Sequence, residues 1–168
     1  MDKDNQDPNT PHSSFYKGSM SGESWDDFIV RRMQEKREVF NNKKEEFSNV
    51  RRKWGTYKIL EWGDNYLVKL LTVDPGKNIS FQRHRHRCER WLILEGKGLF
   101  VLDKEFLGDL EKFEVTAKKS ILVPPMSWHW VKNTSYNKPL CILETWFGDI
   151  LEESDIEREE YDETAVSE

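Results

Sequence analysis

The residues best placed to do chemistry lie between Gly76 and Gly96, in a stretch that includes Gln82-Arg83-His84-Arg85-His86-Arg87-Cys88-Glu89-Arg90-Trp91. His84 and His86 stand two apart. On a strand, side chains alternate between faces, so both imidazoles would point the same way and form a chelating pair. Glu89 follows, after an expected turn, at the head of an apolar run (Trp91, Leu92, Ile93, Leu94) that closes at Gly96 and suits a second strand. A carboxylate on that neighbouring strand can face the imidazoles. Pro124-Pro125-Met126-Ser127-Trp128-His129 then supplies a third histidine, with Asn133 four residues later. His84, His86, Glu89 and His129 make a mixed nitrogen and oxygen set that suits a divalent transition ion with positions left open for water or substrate. The set does not distinguish Zn, Mn, Fe, Co or Ni. Gln82 shares the ligand face, as a fifth ligand or a substrate contact.

The elements that must carry these groups are short and β-like from Trp54 onward: Tyr57 to Glu61, Tyr66 to Val73, the two motif strands, Gly98 to Leu102, Ile121 to Val123, Trp128 to Val131 and Leu140 to Trp146. Gly63-Asp64-Asn65, Asp74-Pro75-Gly76 and Asn137-Lys138-Pro139 carry turn chemistry between them. Many short strands at regular spacing predict an all-β barrel or double-sheet jelly roll. If Glu89 points inward, Arg90, Leu92 and Leu94 point out; if His129 points inward, Trp128 and Trp130 point out. That apolar outer face predicts a cover, either a dimer partner or a helix of the same chain.

Upstream, residues 1–23 are polar and read as a flexible arm. Ser24-Trp25-Asp26-Asp27 has the pattern of a helix N-terminal capping box. Trp25, Phe28, Ile29, Met33, Phe40 and Phe47 then mark one face of an amphipathic helix over 24–51. Each large side chain there loses about 1.5–3 kcal/mol if left in water, so the face packs on the barrel, on a second copy or on another protein. The barrel occupies 52–150, and 151–168 is an acidic C-terminal segment.

The chelating stretch resembles the cupin superfamily, whose two motifs are similar to His-x-His with a following Glu, six residues and Gly, and to the later Pro-x-x-x-x-His-x-x-x-Asn. Gln82 to Trp91 is similar to the Gln-x-His-His-His-Arg-x-Glu-His-Trp signature of type II mannose-6-phosphate isomerase cupin domains. The likeness extends to Trp54-Gly55-Thr56-Tyr57, Tyr66-Leu67-Val68-Lys69, Phe147-Gly148 and Asp155-Ile156-Glu157-Arg158. It implies a cupin (double-stranded β-helix) barrel with an N-terminal helical extension, a metal inside, and isomerisation of an aldose and ketose phosphate. Lys69, Arg87 or Arg158 would hold the phosphate, and Glu144 is a candidate proton carrier. Three positions depart from the signature: Arg85 and Arg90 stand where it has His, and Met126 where it has Gly. The closing Asp-Asp-Tyr-Gly-Arg is replaced by Glu160-Tyr161-Asp162-Glu163-Thr164, without its terminal base.

Composition narrows the classes. The 168 residues carry a net charge of −5, which gives no reason to expect nucleic acid as partner. The strip Arg83, Arg85, Arg87 and Arg90 reads mainly as a solvated or subunit-facing surface. Cys88 and Cys141 do not make a disulfide framework, and no run approaches the ~18 apolar residues of a membrane helix, so a cytoplasmic protein without a membrane role is expected. The expected state is a homodimer that binds a phosphorylated sugar. Two other classes compete with the isomerase: a non-catalytic cupin that binds its ligand as a sensor, sequestering or assembly protein, and an oxygen-using cupin whose histidines and carboxylate hold iron.

Overall fold

The computed structural model describes residues 24, 27–28, 30–32, 34–35, 38, 49–103 and 110–162. Two units are resolved in it, 1–36 and 37–168. In the first, the described residues from Asp27 onward are helical. Ser24 caps them: its Oγ accepts the Asp27 amide at 3.1 Å and donates to the Asp27 carboxylate at 2.6 Å. Arg31 and Glu35 pair one turn apart at 2.7 Å. Trp25, Ile29, Met33, Phe40 and Phe47 lie outside the described residues, as do the arm 1–23 and residues 163–168.

The second unit is all β: β1 (Val50–Arg52), β2 (Gly55–Trp62), β3 (Tyr66–Val73), β4 (Phe81–His84), β5 (Cys88–Glu95), β6 (Lys97–Asp103), β7 (Leu110–Thr116), β8 (Ser120–Val123), β9 (His129–Asn133), β10 (Leu140–Phe147) and β11 (Ile156–Glu159), with a 3-10 turn at Glu153–Asp155 before β11. They form two antiparallel sheets, one in the order β1-β2-β3-β10-β5-β8 and the other β11-β4-β9-β6-β7. Alternation fixes what each strand turns inward. Along β3, Leu67, Lys69, Leu71 and Val73 are buried while the residues between them are half-exposed. Along β5 the buried set is Glu89, Trp91 and Ile93. Trp91, Ile93, Phe100, Leu102, Val131, Leu140 and Ile142 meet between the sheets as the main core. Trp91 stands edge-on to Phe100 at 5.4 Å.

Two turns hold this frame in register. Gly96 joins β5 to β6 at φ 89°, and a Cβ there would lie 2.4 Å from the Pro139 carbonyl oxygen, so the position admits only glycine. Between β8 and β9, Met126 takes φ 65° and donates its amide to the His84 carbonyl at 2.6 Å. The non-glycine backbone strain at Met126 therefore sits in the contact that anchors the end of β4.

The outer faces differ. Arg90, Leu94 and Leu122 are exposed on the six-stranded sheet, as alternation of β5 requires. Trp130 also points away from His129, yet it is buried: Phe81, Val101, Leu110 and Tyr161 of the same unit cover it. The expected cover on that side comes from within the unit. Within the acidic C-terminal segment, β11 pairs with β4 from Ile156↔His84 to Glu159↔Phe81. Its apolar Ile156 and its paired charges supply the reason. β1 begins at Val50, inside the span expected to be helix.

Candidate functional site

Two strands of one sheet and one of the other meet at the site. β4 and β9 are neighbours through Gln82↔His129, which brings His84 and His129 to the same inward face. Glu89 reaches across from β5 of the facing sheet. His84 Nε2 lies 3.0 Å from Glu89 Oε1 and His129 Nε2 lies 3.4 Å from Glu89 Oε2. One ligand atom from each of the three falls within 4.8 Å of the others, and all three side chains are buried.

His86 is not part of this group, which corrects the reading of a His84/His86 pair. β4 ends at His84, and the chain bends through Arg85 and His86 before β5 begins. Alternation stops there. His86 is exposed and donates its amide to Asp155 Oδ2 at 3.2 Å. The pair two apart that does share the inward face is Gln82 and His84. Gln82 Oε1 accepts the Ser80 hydroxyl at 3.0 Å, which turns its amide nitrogen toward His129 Nε2 at 3.5 Å. The signal was present in the sequence, two residues ahead of His84.

The hydrogen bonds settle which atoms of His129 are available. Its Nδ1 lies 3.0 Å from the Ser127 carbonyl oxygen, which can only accept, so Nδ1 carries the proton. Nε2 is the ring atom turned toward the Glu89 carboxylate. Burial pulls the His84 pKa down, against the opposing pull of Glu89. Burial works against ionising Glu89, but hydrogen bonds and charge interactions with His129 and His84 outweigh it and hold the carboxyl well below its usual range. Two ring nitrogens and a carboxylate oxygen thus converge on one buried point, where a cation or shared protons would fit. His84 Nδ1 is buried without a partner.

Arg87 and Trp91 orient the carboxylate, and the sequence reading gave neither that task. Arg87 Nε donates to Glu89 Oε1 at 3.0 Å and Trp91 Nε1 to Glu89 Oε2 at 2.9 Å. The Arg87 guanidinium is buried, lies 3.5 Å over the Trp146 ring, donates to the Glu152 carbonyl at 3.0 Å and faces Asp155 at 3.6 Å. Arg83 and Arg85 point elsewhere and both bind Glu157 of β11. Asn133 holds the frame: its amide donates to the carbonyls of Val73 and Lys138 and accepts the Ser135 amide.

A cavity of about 290 Å³ opens beside the group, at the small end of ligand sites. Gln82, Arg87, Glu144, Trp146, Lys69 and Arg158 all contribute to its wall. Glu144 is buried on β10, opposite Trp91 in register. Burial, then the Glu89 charge, raise its pKa to about 8 against the pull of Lys69 and Arg87. At neutral pH it therefore keeps its proton. Lys69 is also buried, and its Nζ donates to Glu153 Oε1 at 2.5 Å and lies 3.5 Å over the Trp146 ring. Arg52, Lys53 and Tyr57 complete the mouth, a set with no local signature in the sequence. Cys88 and Cys141 are free thiols. Among the described residues, no helix is long and apolar enough to cross a membrane.

Known proteins resemble this chain in sequence and in fold. The chain is 34% identical over 117 residues to the mannose-1-phosphate guanylyltransferase of Salmonella muenchen, a match covering 70% of this chain and 23% of that protein. It thus spans about a quarter of that relative's length. Among solved structures, the formate complex of Lactobacillus farciminis oxalate decarboxylase superposes with a TM-score of 0.58 at 14% identity, over 68% of this chain and 34% of that one. Bacillus subtilis oxalate decarboxylase, studied for its Mn(II) centres, gives 0.57 at 22% identity over 65% of this chain and 30% of that one. These two likenesses concern the fold, a cupin barrel. Residues 40–161 match the family described as mannose-6-phosphate isomerase C-terminal, and the chain belongs to it.

Proposed function

We propose that the protein is a metal-dependent cupin that isomerises an aldose phosphate and a ketose phosphate, in the manner of mannose-6-phosphate isomerase. The observation that carries the reading is the convergence of His84, Glu89 and His129 behind Gln82 and Arg87, two residues in the wall of a cavity that also holds Glu144 and several cations. The donors fit a divalent ion: two imidazoles and a carboxylate, with Gln82 Oε1 as a further oxygen if its amide turns away from Ser80. Bound there, the ion would polarise a carbonyl or hydroxyl oxygen of the sugar.

The chain's own residues do the rest. Arg87 and Trp91 keep both carboxylate oxygens of Glu89 aimed at the ligand point, and the Ser127 carbonyl fixes the His129 tautomer. Moving a proton between C1 and C2 needs a group whose pKa lies near the working pH. Glu144, raised to about 8, is the carboxyl in the cavity wall that meets this requirement. Lys69 and Arg158 supply positive charge for a phosphate. Arg87 faces the same cavity, but Glu89, Glu152 and Asp155 engage its donors, so its part is to position Glu89.

A second reading, ligand binding without turnover, is favoured by one feature: Glu160-Tyr161-Asp162-Glu163-Thr164 lacks the terminal base expected of an isomerase of this type. Elemental analysis of the purified protein beside a His84→Ala/His129→Ala variant, then a coupled assay on mannose 6-phosphate, separates the two. Stoichiometric metal that is lost in the variant, with metal-dependent fructose 6-phosphate formation, supports isomerisation. Metal with tight binding and no turnover supports the second reading, and oxygen consumption with ferrous iron would replace both. Absence of metal from both proteins would refute the site.

A further inference from the structure

The charge around the cavity mouth does not balance. The chain is net negative, yet Arg52, Lys53, Lys69, Arg87 and Arg158 all line this one cavity. Their partners can be followed one by one. Arg87 is taken up by Glu89, the Glu152 carbonyl and Asp155. Arg52 leans on Tyr57, with a guanidinium nitrogen 3.3 Å from the phenol oxygen. Lys53 and Arg158 form no ion pair among the described residues, and Lys69 has one carboxylate partner, Glu153.

That last pair is lopsided. The Lys69 side chain is 5% exposed and the Glu153 side chain 57%. A buried ammonium needs an anion beside it, because desolvation without a partner is costly. A carboxylate more than half exposed on a three-residue 3-10 turn can swing into water, giving up its attraction to Lys69, Arg87 and Arg158 when another anion replaces it. Lys69 therefore requires a negative group, and nothing in the geometry requires that group to be Glu153. The surroundings could satisfy more than a carboxylate. A phosphate monoester has three terminal oxygens, enough to meet Lys69, Lys53 and Arg158 together.

We propose that Lys53, Lys69 and Arg158 form a phosphate subsite at the cavity mouth, and that the Glu153 carboxylate occupies it until a phosphorylated ligand displaces it. The proposal rests on the sugar-phosphate reading above, which already gives Lys69 and Arg158 to the phosphate, and adds Lys53 beside them and Glu153 as the anion they hold in its place. The sugar then lies between this mouth and the His84, Glu89, His129 group, with Gln82 and Glu144 along its length.

The test is titration calorimetry with inorganic phosphate, mannose 6-phosphate and mannose on the wild-type chain and on Glu153→Gln, Lys53→Ala and Arg158→Ala, with metal content measured for each. Removing the internal competitor is expected to tighten phosphate and mannose 6-phosphate binding about tenfold in Glu153→Gln, while each cation deletion weakens it about tenfold. Mannose binding and metal content stay at wild-type levels throughout. Weaker phosphate binding in Glu153→Gln would make Glu153 a builder of the site and overturn its stand-in role. Unchanged binding in Lys53→Ala and Arg158→Ala, or no phosphate binding by the wild-type chain, would overturn the subsite. If the binding pattern holds and mannose 6-phosphate is not converted, isomerisation falls and the subsite stands; conversion without the pattern gives the reverse.

Discussion

Replacing Arg87 with alanine separates two roles, the substrate phosphate contact suggested by the sequence and the hold on Glu89 seen in the structure. The guanidinium is buried and donates to Glu89 Oε1 at 3.0 Å and to the Glu152 carbonyl at 3.0 Å. Deleting it strips a buried carboxylate of its one full positive charge and leaves a void over Trp146. Breaking a buried pair in this way costs about 3–5 kcal/mol. For a unit spanning residues 37–168, with an unfolding entropy of about 2.1 cal/mol/K per residue, that loss lowers Tm by roughly 10–18 °C. Arg87→Met, which keeps much of the packing over Trp146 but not the charge, should recover only the smaller part of the loss. Circular dichroism melts of the metal-free proteins read the stability, and elemental analysis of the loaded ones reads whether Glu89 remains a competent ligand. Metal content should fall in both variants. A variant with wild-type Tm and metal content but a raised KM for a phosphorylated sugar would refute the positioning role and return Arg87 to the substrate.

Other substitutions test the site and its frame. Glu144 has a folded pKa near 8 against an ordinary 4.5, so the folded state holds more protons and stability falls as pH rises from about 4.5 to 8. Glu144→Gln should remove that decline, gaining on the order of 2–3 kcal/mol at pH 7 in urea melts of metal-free protein while abolishing turnover; equal stability at pH 7 would mean the carboxyl is not held neutral. His84 and Glu89 act in the opposite sense, because both pKa values are lowered on folding. The same melts should lose stability as pH falls below 6.5, where an unfolded His84 takes up its proton, and again as it falls below 4.5 through the depressed Glu89 value, in wild type and Glu144→Gln alike. Met126→Gly should raise stability by about 0.5–1 kcal/mol by relieving the positive φ, and a loss in chemical denaturation would show that the Met side chain matters more than its backbone. Gly148→Ala should cost about 1–3 kcal/mol in the same assay, since the added methyl would sit 2.5 Å from the His86 carbonyl oxygen; an unchanged midpoint would show that the bend yields.

How much of this was legible depended on whether a strand announced itself. β3 was read with its observed bounds, because Tyr66 to Val73 alternates β-branched and aliphatic residues between two turn clusters. Glu89 and His129 were picked out by residue type and spacing, and both turn out to be buried on the inward faces of their strands. Alternation failed at His86 because it holds only while the strand continues, and no Pro or Gly marks the bend at Arg85. β7 and β11 escaped notice for a different reason. Leu110-Glu-Lys-Phe-Glu-Val-Thr116 and Ile156-Glu-Arg-Glu159 each carry three charged residues, and edge strands of this kind carry charges where central strands carry aliphatics. The task of Arg87 was hidden too, since its partners Glu152 and Asp155 lie some sixty-five residues away along the chain.

That separation says when an ion could enter. His84 and Glu89 lie forty or more residues from His129, and the bend that follows His84 is pinned by Asp155 through the amides of Arg85 and His86. No short peptide holds a usable fraction of the donor set, in contrast to small zinc modules whose ligands come in close pairs and whose folding waits on the metal. Here the sheets, with their sequence-distant pairings, have to close first on the strength of the Trp91, Phe100 and Ile142 core, a slow class of reaction. Loading is then a visit to a finished vessel. Its rate depends on how the ion gets past the cavity mouth, and chelation should empty the protein while leaving its far-ultraviolet spectrum intact.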